Sequence, residues 1–362
     1  MKKKLMSVIL AAAMALSLAA CGFAGKNTSS GTAETVSESD TSAEDATKKP
    51  EVTESETETE NEVTGCDISI ASMKGPTSIG LVKLFYDSDN GRTINRYSYS
   101  IYGTADEISA GLIKGDIDVA AVPCNLASVL YNKTDGEVVI AGINTLGVLY
   151  VMSKGIEIDS VDDLKGQTIY TTGQGTTPEY TLRHLLSING IDPDNDVTIE
   201  FKSEASEVVS AVSELDTAVV MLPQPYVTIA QKSVEGLTVA LDVTKEWENA
   251  ESDDSTVITG VIVARKSFIE EHPEQFNAFL SEYRESTDYA NSNVEDTASL
   301  LESFDIFKAA VAKEAIPECN VTFIDGEAMK SKVKSYLQVL FDANPKAVGG
   351  TMPDDNIFYT AH

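Results

Sequence analysis

From residue 67 onward, short apolar runs of strand length alternate with amphipathic stretches of helix length, and that alternation leaves few folds open. Strands are expected at 67–72, 96–102, 117–122, 138–144, 167–171, 197–202, 218–222 and 237–243. Helices are expected between them at 76–86, 105–114, 125–132, 178–188 and 205–214. A chain in which each strand feeds a helix lays its strands side by side and parallel, with helices covering both faces. The tail departs from this rhythm. Residues 267–342 read as mostly helical, with Pro273 opening a long helix at the position where its missing N–H costs nothing. The fold class is α/β.

Two apolar strands interrupt the series, Gly147-Val148-Leu149-Tyr150-Val151-Met152-Ser153 and Thr256-Val257-Ile258-Thr259-Gly260-Val261-Ile262-Val263-Ala264. A chain that leaves one α/β lobe and later returns needs two crossing segments, and these are the natural ones. Lobe one then comprises 66–147 plus 266–362, lobe two 154–255, and 148–153 and 256–265 are the hinge strands. The polar break at 249–255 before the return strand favours two lobes over one continuous sheet.

The first residues concern address rather than fold. Lys2, Lys3 and Lys4 precede an apolar stretch from Leu5 to Leu18, which is too short for a secure bilayer span, and Leu18-Ala19-Ala20-Cys21 ends it. This is the pattern of a secretory signal, residues 1–20. Its last four residues resemble the bacterial lipobox, which implies a diacylated Cys21 and a chain held on the outer face of the cell membrane. Residues 21–65 follow as an acidic tether, with 11 acidic residues against Lys26, Lys48 and Lys49 and no aromatic residue after Phe23. Such a segment buries too little apolar surface to order itself.

The formal net charge is −30, which argues against nucleic acid and against direct adhesion to anionic lipid. Beyond Cys21, the cysteines Cys66, Cys124 and Cys319 are an odd set with no CxxC pair. A Cys66–Cys319 or a Cys124–Cys319 bridge stays open, but no disulfide framework is indicated. His184, His272 and His362 are far apart and lack metal spacing, so no metal and no cofactor is expected.

In open α/β sheets, ligands sit outside the C-terminal ends of strands, where loops run into helices. Six such segments here are short and rich in small polar residues: Lys74-Gly75-Pro76-Thr77-Ser78, Gly103-Thr104, Pro123-Cys124-Asn125, Asn144-Thr145, Thr171 to Thr177, and Pro223-Gln224-Pro225-Tyr226. Any single Ser or Thr among them also reads as a helix cap; the convergence of six points to a site. The ligand-binding residues expected from these loops are Lys74, Gly75, Pro76, Thr77, Ser78, Thr104, Pro123, Cys124, Asn125, Asn144, Thr145, Thr172, Gln174, Gly175, Thr176 and Gln224. Tyr180 and Tyr226 are expected to stack on a flat ligand, although helical aromatics are also core formers.

The run Thr172–Thr177 lacks the Gly-Lys-Ser/Thr ending of a phosphate loop and the third glycine of a dinucleotide fingerprint. No arginine stands in any of these loops, which weakens a bidentate clamp on a carboxylate or sulfonate. Cys124 at a helix start has no histidine close in sequence, so no catalytic residue is assigned. Trp247, the one tryptophan, lies near the polar break and is suited to report lobe movement.

Four stretches carry a family resemblance: Lys74-Gly75-Pro76-Thr77, Asp116-Ile117-Asp118-Val119-Ala120-Ala121-Val122-Pro123, Leu146-Gly147-Val148-Leu149-Tyr150-Val151, and Pro353-Asp354-Asp355 with Phe358-Tyr359. With the lipobox they resemble the solute-binding lipoproteins of ABC importers, in the NMT1/THI5-like branch that includes nitrate, sulfonate, taurine and pyrimidine-precursor binders. The resemblance covers 66–362. It implies a type II periplasmic-binding-protein fold, two α/β lobes closing on a small solute, working as a monomer that delivers its ligand to ABC permease subunits. It implies no enzyme activity, since the histidine-rich and cysteine-rich site of the related pyrimidine synthases is missing. A flat nitrogen-containing metabolite fits the missing arginines and the two tyrosines, while a small sulfonate or similar oxyanion held by helix N-termini competes. The alternatives are an enzyme on the same scaffold acting on a pyrimidine-like compound, and a surface sensor.

Overall fold

Val119, Ala121, Val139 and Ala141 belong to one apolar cluster, and Ala120, Val122 and Ile140, which alternate with them, belong to another. Strands apolar on both faces bury fully only in the middle of a covered sheet. The computed structural model, which describes residues 63–251 and 255–360, puts them there. The expected signal, Cys21 and nearly all of the tether lie outside the described residues.

The first sheet contains β1 (Asp67–Met73), β2 (Arg96–Tyr102), β3 (Val119–Pro123), β4 (Val138–Leu146), β10 (Ile258–Arg265) and β11 (Val321–Ile324), in the order β11-β4-β10-β3-β1-β2. The second contains β5 (Leu149–Lys154), β6 (Thr168–Thr171), β7 (Thr198–Phe201), β8 (Ala218–Pro223) and β9 (Thr238–Asp242), in the order β7-β6-β8-β5-β9. The two orders match. In each sheet three parallel strands lie beside one antiparallel strand, β10 between β3 and β4 and β5 between β8 and β9.

This arrangement corrects one expectation: the sheets are mixed rather than parallel. The two apolar runs expected as hinge strands are β5 and β10, one in each sheet. Their residues are buried along both edges of the pleat, with β10 almost wholly so. A strand of that kind left as a bare crossing would strand its backbone polar groups without partners. The crossings themselves are the short stretches before Leu149 and before Ile258.

Helices α1 (Val82–Asp89), α2 (Ala105–Lys114), α3 (Cys124–Lys133), α4 (Thr177–Ile188), α5 (Ala205–Ser213), α6 (Tyr226–Ser233) and α7 (Val243–Ala250) follow the strands in turn. In the tail come α8 (Lys266–Glu271), α9 (Pro273–Ser292), α10 (Val294–Ser303), α11 (Ala309–Ala315) and α12 (Gly326–Ala343). Pro273 occupies the first turn of α9 as expected. Strand β11 was not expected. It is four residues long, too short for its period to separate it from the helices around it, and it pairs antiparallel with the free edge of β4. The closing segment is pinned to the same strand: Phe358 bridges Ile140, and the Tyr359 N–H donates to the Ile140 carbonyl at 2.8 Å.

Cys66, Cys124 and Cys319 are all free thiols, so neither bridge left open by the spacing forms. Among the described residues no helix is long and apolar enough to cross a membrane.

Candidate functional site

At the C-terminal ends of the parallel strands of both sheets lies a cavity of about 470 Å³. From the first sheet it is lined by Lys74, Gly75, Pro76 and Thr77 after β1, by Thr104 after β2 and by Pro123 at the end of β3. The second sheet contributes Thr172, Gln174 and Thr176 after β6 and Tyr226 after β8. These expected residues come together although up to about 150 positions separate them in the chain, as the strand-end rule requires.

Helix starts converge on the same space. Pro76 opens the 3₁₀ segment Pro76–Leu81, and α2, α4, α5 and α6 also begin at the wall. The N-cap residues Thr104, Thr176 and Glu204 make no capping bond with their side chains. Capping therefore does not account for the two threonines here, and the first-turn N–H groups of α2 and α4 are left to serve acceptor atoms of a ligand, whereas in α5 and α6 the Glu207 N–H donates to the Glu204 carbonyl and the Thr228 N–H to Gln224 Oε1. Gly173, also on the wall, has φ +76°, and a Cβ there would meet Pro178 Cγ at 2.8 Å and Thr176 Oγ1 at 2.9 Å. Only glycine fits this turn of the loop.

Several expected residues stand off the cavity, each for a visible reason. Ser78 is fully buried, with its hydroxyl 2.7 Å from Ser72 Oγ and donating to the Met73 carbonyl at 2.5 Å. Cys124 is sealed in the core beside β3, and burial pushes its thiol pKa well above the ordinary range, the opposite of an activated nucleophile. Asn125 is also fully buried. Its Nδ2 donates to the Ala347 carbonyl at 3.0 Å, and its Oδ1 accepts from Thr177 Oγ1 at 3.2 Å. Asn144 and Thr145 belong to β4 itself, which runs on to Leu146, and are buried in the sheet rather than looped out of it.

Gly175 turns its N–H to the Glu179 carboxylate at 2.7 Å. Tyr180 packs against the core of the first sheet, where burial raises its phenol pKa. Gln224 uses its Oε1 to accept from the Thr228 hydroxyl at 3.0 Å. The two-tyrosine stack therefore reduces to Tyr226. Its phenol pKa is raised by burial and then by the charge of Glu204, and its ring meets Phe307 edge-on at 5.6 Å.

The loop after β7 was missed. Phe201, Lys202, Ser203, Glu204 and Ala205 all line the cavity. The signal for them was present, since a strand ending at 202 and a helix starting at 205 make a strand-end loop like the others. Phe201 brings a second ring to the cavity wall, where Tyr180 had been expected. Lys202 lies 3.7 Å from Glu200 and over the Tyr170 ring. Among the described residues no arginine lines the cavity, and no group of three or more His, Cys, Asp and Glu is placed to hold a metal ion.

The first cavity loop is braced from behind. Asn144 Nδ2 donates to the Thr77 carbonyl at 3.0 Å. Ser286 of α9, 3% exposed, donates its hydroxyl to the Gly80 carbonyl at 2.6 Å and accepts from the Leu84 N–H at 2.9 Å. Gly80 and Leu84 are the groups that a continuous α-helix pairs four apart. The serine hydroxyl bridges them at the junction of the 3₁₀ segment and α1, a recognised cause of a helix bend.

A family model described as NMT1/THI5 like matches residues 137–296. No curated protein matches the chain. Among solved structures, an ABC transporter protein from Parabacteroides distasonis is 23% identical, covers 83% of this chain and 100% of its own, and superposes with a TM-score of 0.68. The periplasmic aliphatic sulphonate binding protein SsuA from Escherichia coli is 16% identical, with 82% and 92% coverage and a TM-score of 0.65. The periplasmic nitrate-binding protein NrtA from Synechocystis is 14% identical, with 79% and 84% coverage and a TM-score of 0.58. Residues 137–296 are thus similar to the NMT1/THI5 like family, and the fold that carries them is the type II periplasmic-binding-protein fold.

Proposed function

We propose that this chain is the extracytoplasmic solute receptor of an ABC importer, anchored by lipid at Cys21 and spaced from the membrane by residues 22–65. It acts as a monomer, capturing a small solute between two lobes and handing it to permease subunits. The lobes are residues 66–147 with 266–362 and residues 154–255, joined through the stretches around 148–153 and 256–265. The observation that carries the reading is the cavity of about 470 Å³ lined by loops from both sheets. Contacts to both sides favour the closed arrangement only when the solute is present, and that difference in affinity shifts the population.

The solute is a small, flat, nitrogen-containing metabolite rather than a simple sulfonate or oxyanion. The missing arginine removes the fork that best grips an oxyanion, and the rings of Phe201 and Tyr226 offer faces for a flat body. Acceptor atoms of the solute meet the free N–H groups of the helix starts.

A thermal-shift screen of the purified chain against pyrimidines, vitamins, sulfonates, nitrate and amino acids tests this. A solute at about a hundred times its dissociation constant adds about 2.7 kcal/mol of stability. A shift with one class names the cargo. A flat screen, with no small molecule carried through purification, refutes solute capture. Labelled palmitate incorporated in cells, and lost in Cys21→Ala, tests the anchor separately.

A further inference from the structure

Charged side chains reach the cavity from both sheets: Lys74 and Asp106 from the first, Lys202 and Glu204 from the second. They are not equally committed. Lys202 is drawn aside to Glu200 and the Tyr170 ring. Glu204 has no lysine or arginine within ion-pair distance among the described residues, and its one side-chain partner is the Ser206 hydroxyl at 3.3 Å. Its Oε1 reaches across the cleft to within 3.4 Å of where a Cβ on Gly103 would stand.

We infer that Glu204 seats a protonated or quaternary nitrogen of the solute, with the rings of Tyr226 and Phe201 beside it. This deepens the solute-capture reading and rests on it. Three observations carry it. The carboxylate is unneutralised and lines the cavity. Glu204 and the Tyr226 ring both line the cavity, and Phe201 lies three residues from Glu204 on the same wall; the phenol pKa of Tyr226 is raised first by burial and then by the Glu204 charge. An unpaired carboxylate beside aromatic faces is the pairing that favours a cationic nitrogen over a neutral or anionic group. Asp106 adds a second negative charge from the opposite side against the one positive charge of Lys74 there, and a chain of net charge −30 raises the local concentration of cations and lowers that of anions.

Helix-dipole stabilisation is the competing account of an acidic residue at a helix start. It explains Asp106 in the first turn of α2. It leaves the reach of Glu204 over the cleft unexplained, because that side chain makes no capping bond to α5.

The test uses three probes that share one flat ring and differ in charge: benzylamine, benzyl alcohol and benzenesulfonate, titrated calorimetrically into the full chain at neutral pH. The expected order is benzylammonium tightest and benzenesulfonate weakest. Glu204→Gln keeps the size, and Glu204 is exposed, so folding is retained. It weakens benzylammonium about tenfold, the loss of one partly exposed charge contact, and leaves benzyl alcohol unchanged. Asp106→Asn gives a smaller loss for the same probe. Benzenesulfonate binding as tightly as benzylammonium, no change for benzylammonium in Glu204→Gln, or no binding of any probe overturns the inference. Solute capture itself stands or falls separately, on the broad screen and on native mass spectrometry of freshly purified protein.

Discussion

Replacing Ser286 by alanine removes one oxygen more than 200 positions along the chain from the loop it steadies. The hydroxyl donates to the Gly80 carbonyl and accepts from the Leu84 N–H. Each such bond is worth about 1 kcal/mol net, and an orphaned buried group costs about 1–3 kcal/mol. If the two backbone groups pair directly afterwards, the bend closes and the orphan cost vanishes, at the expense of moving the loop. The space for that movement is small, because a Cβ on Gly80 would already meet Thr287 Oγ1 at 2.9 Å and Tyr283 Oη at 3.0 Å.

The expected loss is therefore about 2 kcal/mol, or about 3 °C in Tm for a domain of this size. Hydrogen exchange measured peptide by peptide locates it. Residues 75–84 exchange faster in Ser286→Ala, while strands β6 and β8 of the second sheet keep their protection. An unchanged Tm with unchanged exchange over 75–84 refutes the brace. A uniform rise across both sheets refutes its local character and makes Ser286 a general packing residue.

Gly173→Ala meets both a left-handed φ and Pro178 Cγ at 2.8 Å, so it reshapes the loop after β6. Solute affinity falls about tenfold or more while stability drops by only about 1–3 kcal/mol, measured by titration and thermal melting together. Trp247 is fully buried between His184 of α4 and Tyr336 of α12, and its indole N–H donates to Ser255 Oγ at 3.2 Å near the second crossing. Its fluorescence should shift when a solute alters the lobe arrangement, and a spectrum indifferent to a saturating solute would show that this junction does not move.

Burial pushes the phenols of Tyr150 and Tyr283 up to about 12. The folded state then holds protons that the unfolded state, titrating near the ordinary value of about 10, has released, so stability falls as pH rises from about 10 to about 12. Tyrosinate absorbance should lag the ordinary curve and then jump on unfolding; a smooth titration near 10 refutes the shift.

The alternation of strand and helix made the α/β class and most element positions legible, because periodicity of 2 against 3.6 survives in sequence. Which strands pair was not legible, and the antiparallel places of β5 and β10 follow from burial rather than pattern. At the cavity the same limit recurs residue by residue. Position after a strand told which loops arrive, but not which way a side chain points.

Asn125 and Asn144 look in sequence like ligand amides, and the fold spends them otherwise. Asn125 joins the start of α4 to the Ala347 carbonyl, and Asn144 takes the Thr77 carbonyl. Both carbonyls belong to short 3₁₀ segments, Pro76–Leu81 and Pro345–Val348, whose few internal bonds leave carbonyls in need of other partners. A buried amide with a donor and an acceptor is the cheapest group that can satisfy such backbone from a neighbouring element. Polar residues near the cavity therefore divide into those that face it and those that hold the loops that do. The division is set by depth: Thr104, Gln174 and Glu204 stand at the open end, while Asn125, Asn144 and Ser286 lie below it, out of contact with solvent. Substituting the deep set should alter affinity through loop position, with stability falling in step, whereas substituting the open set should change affinity alone.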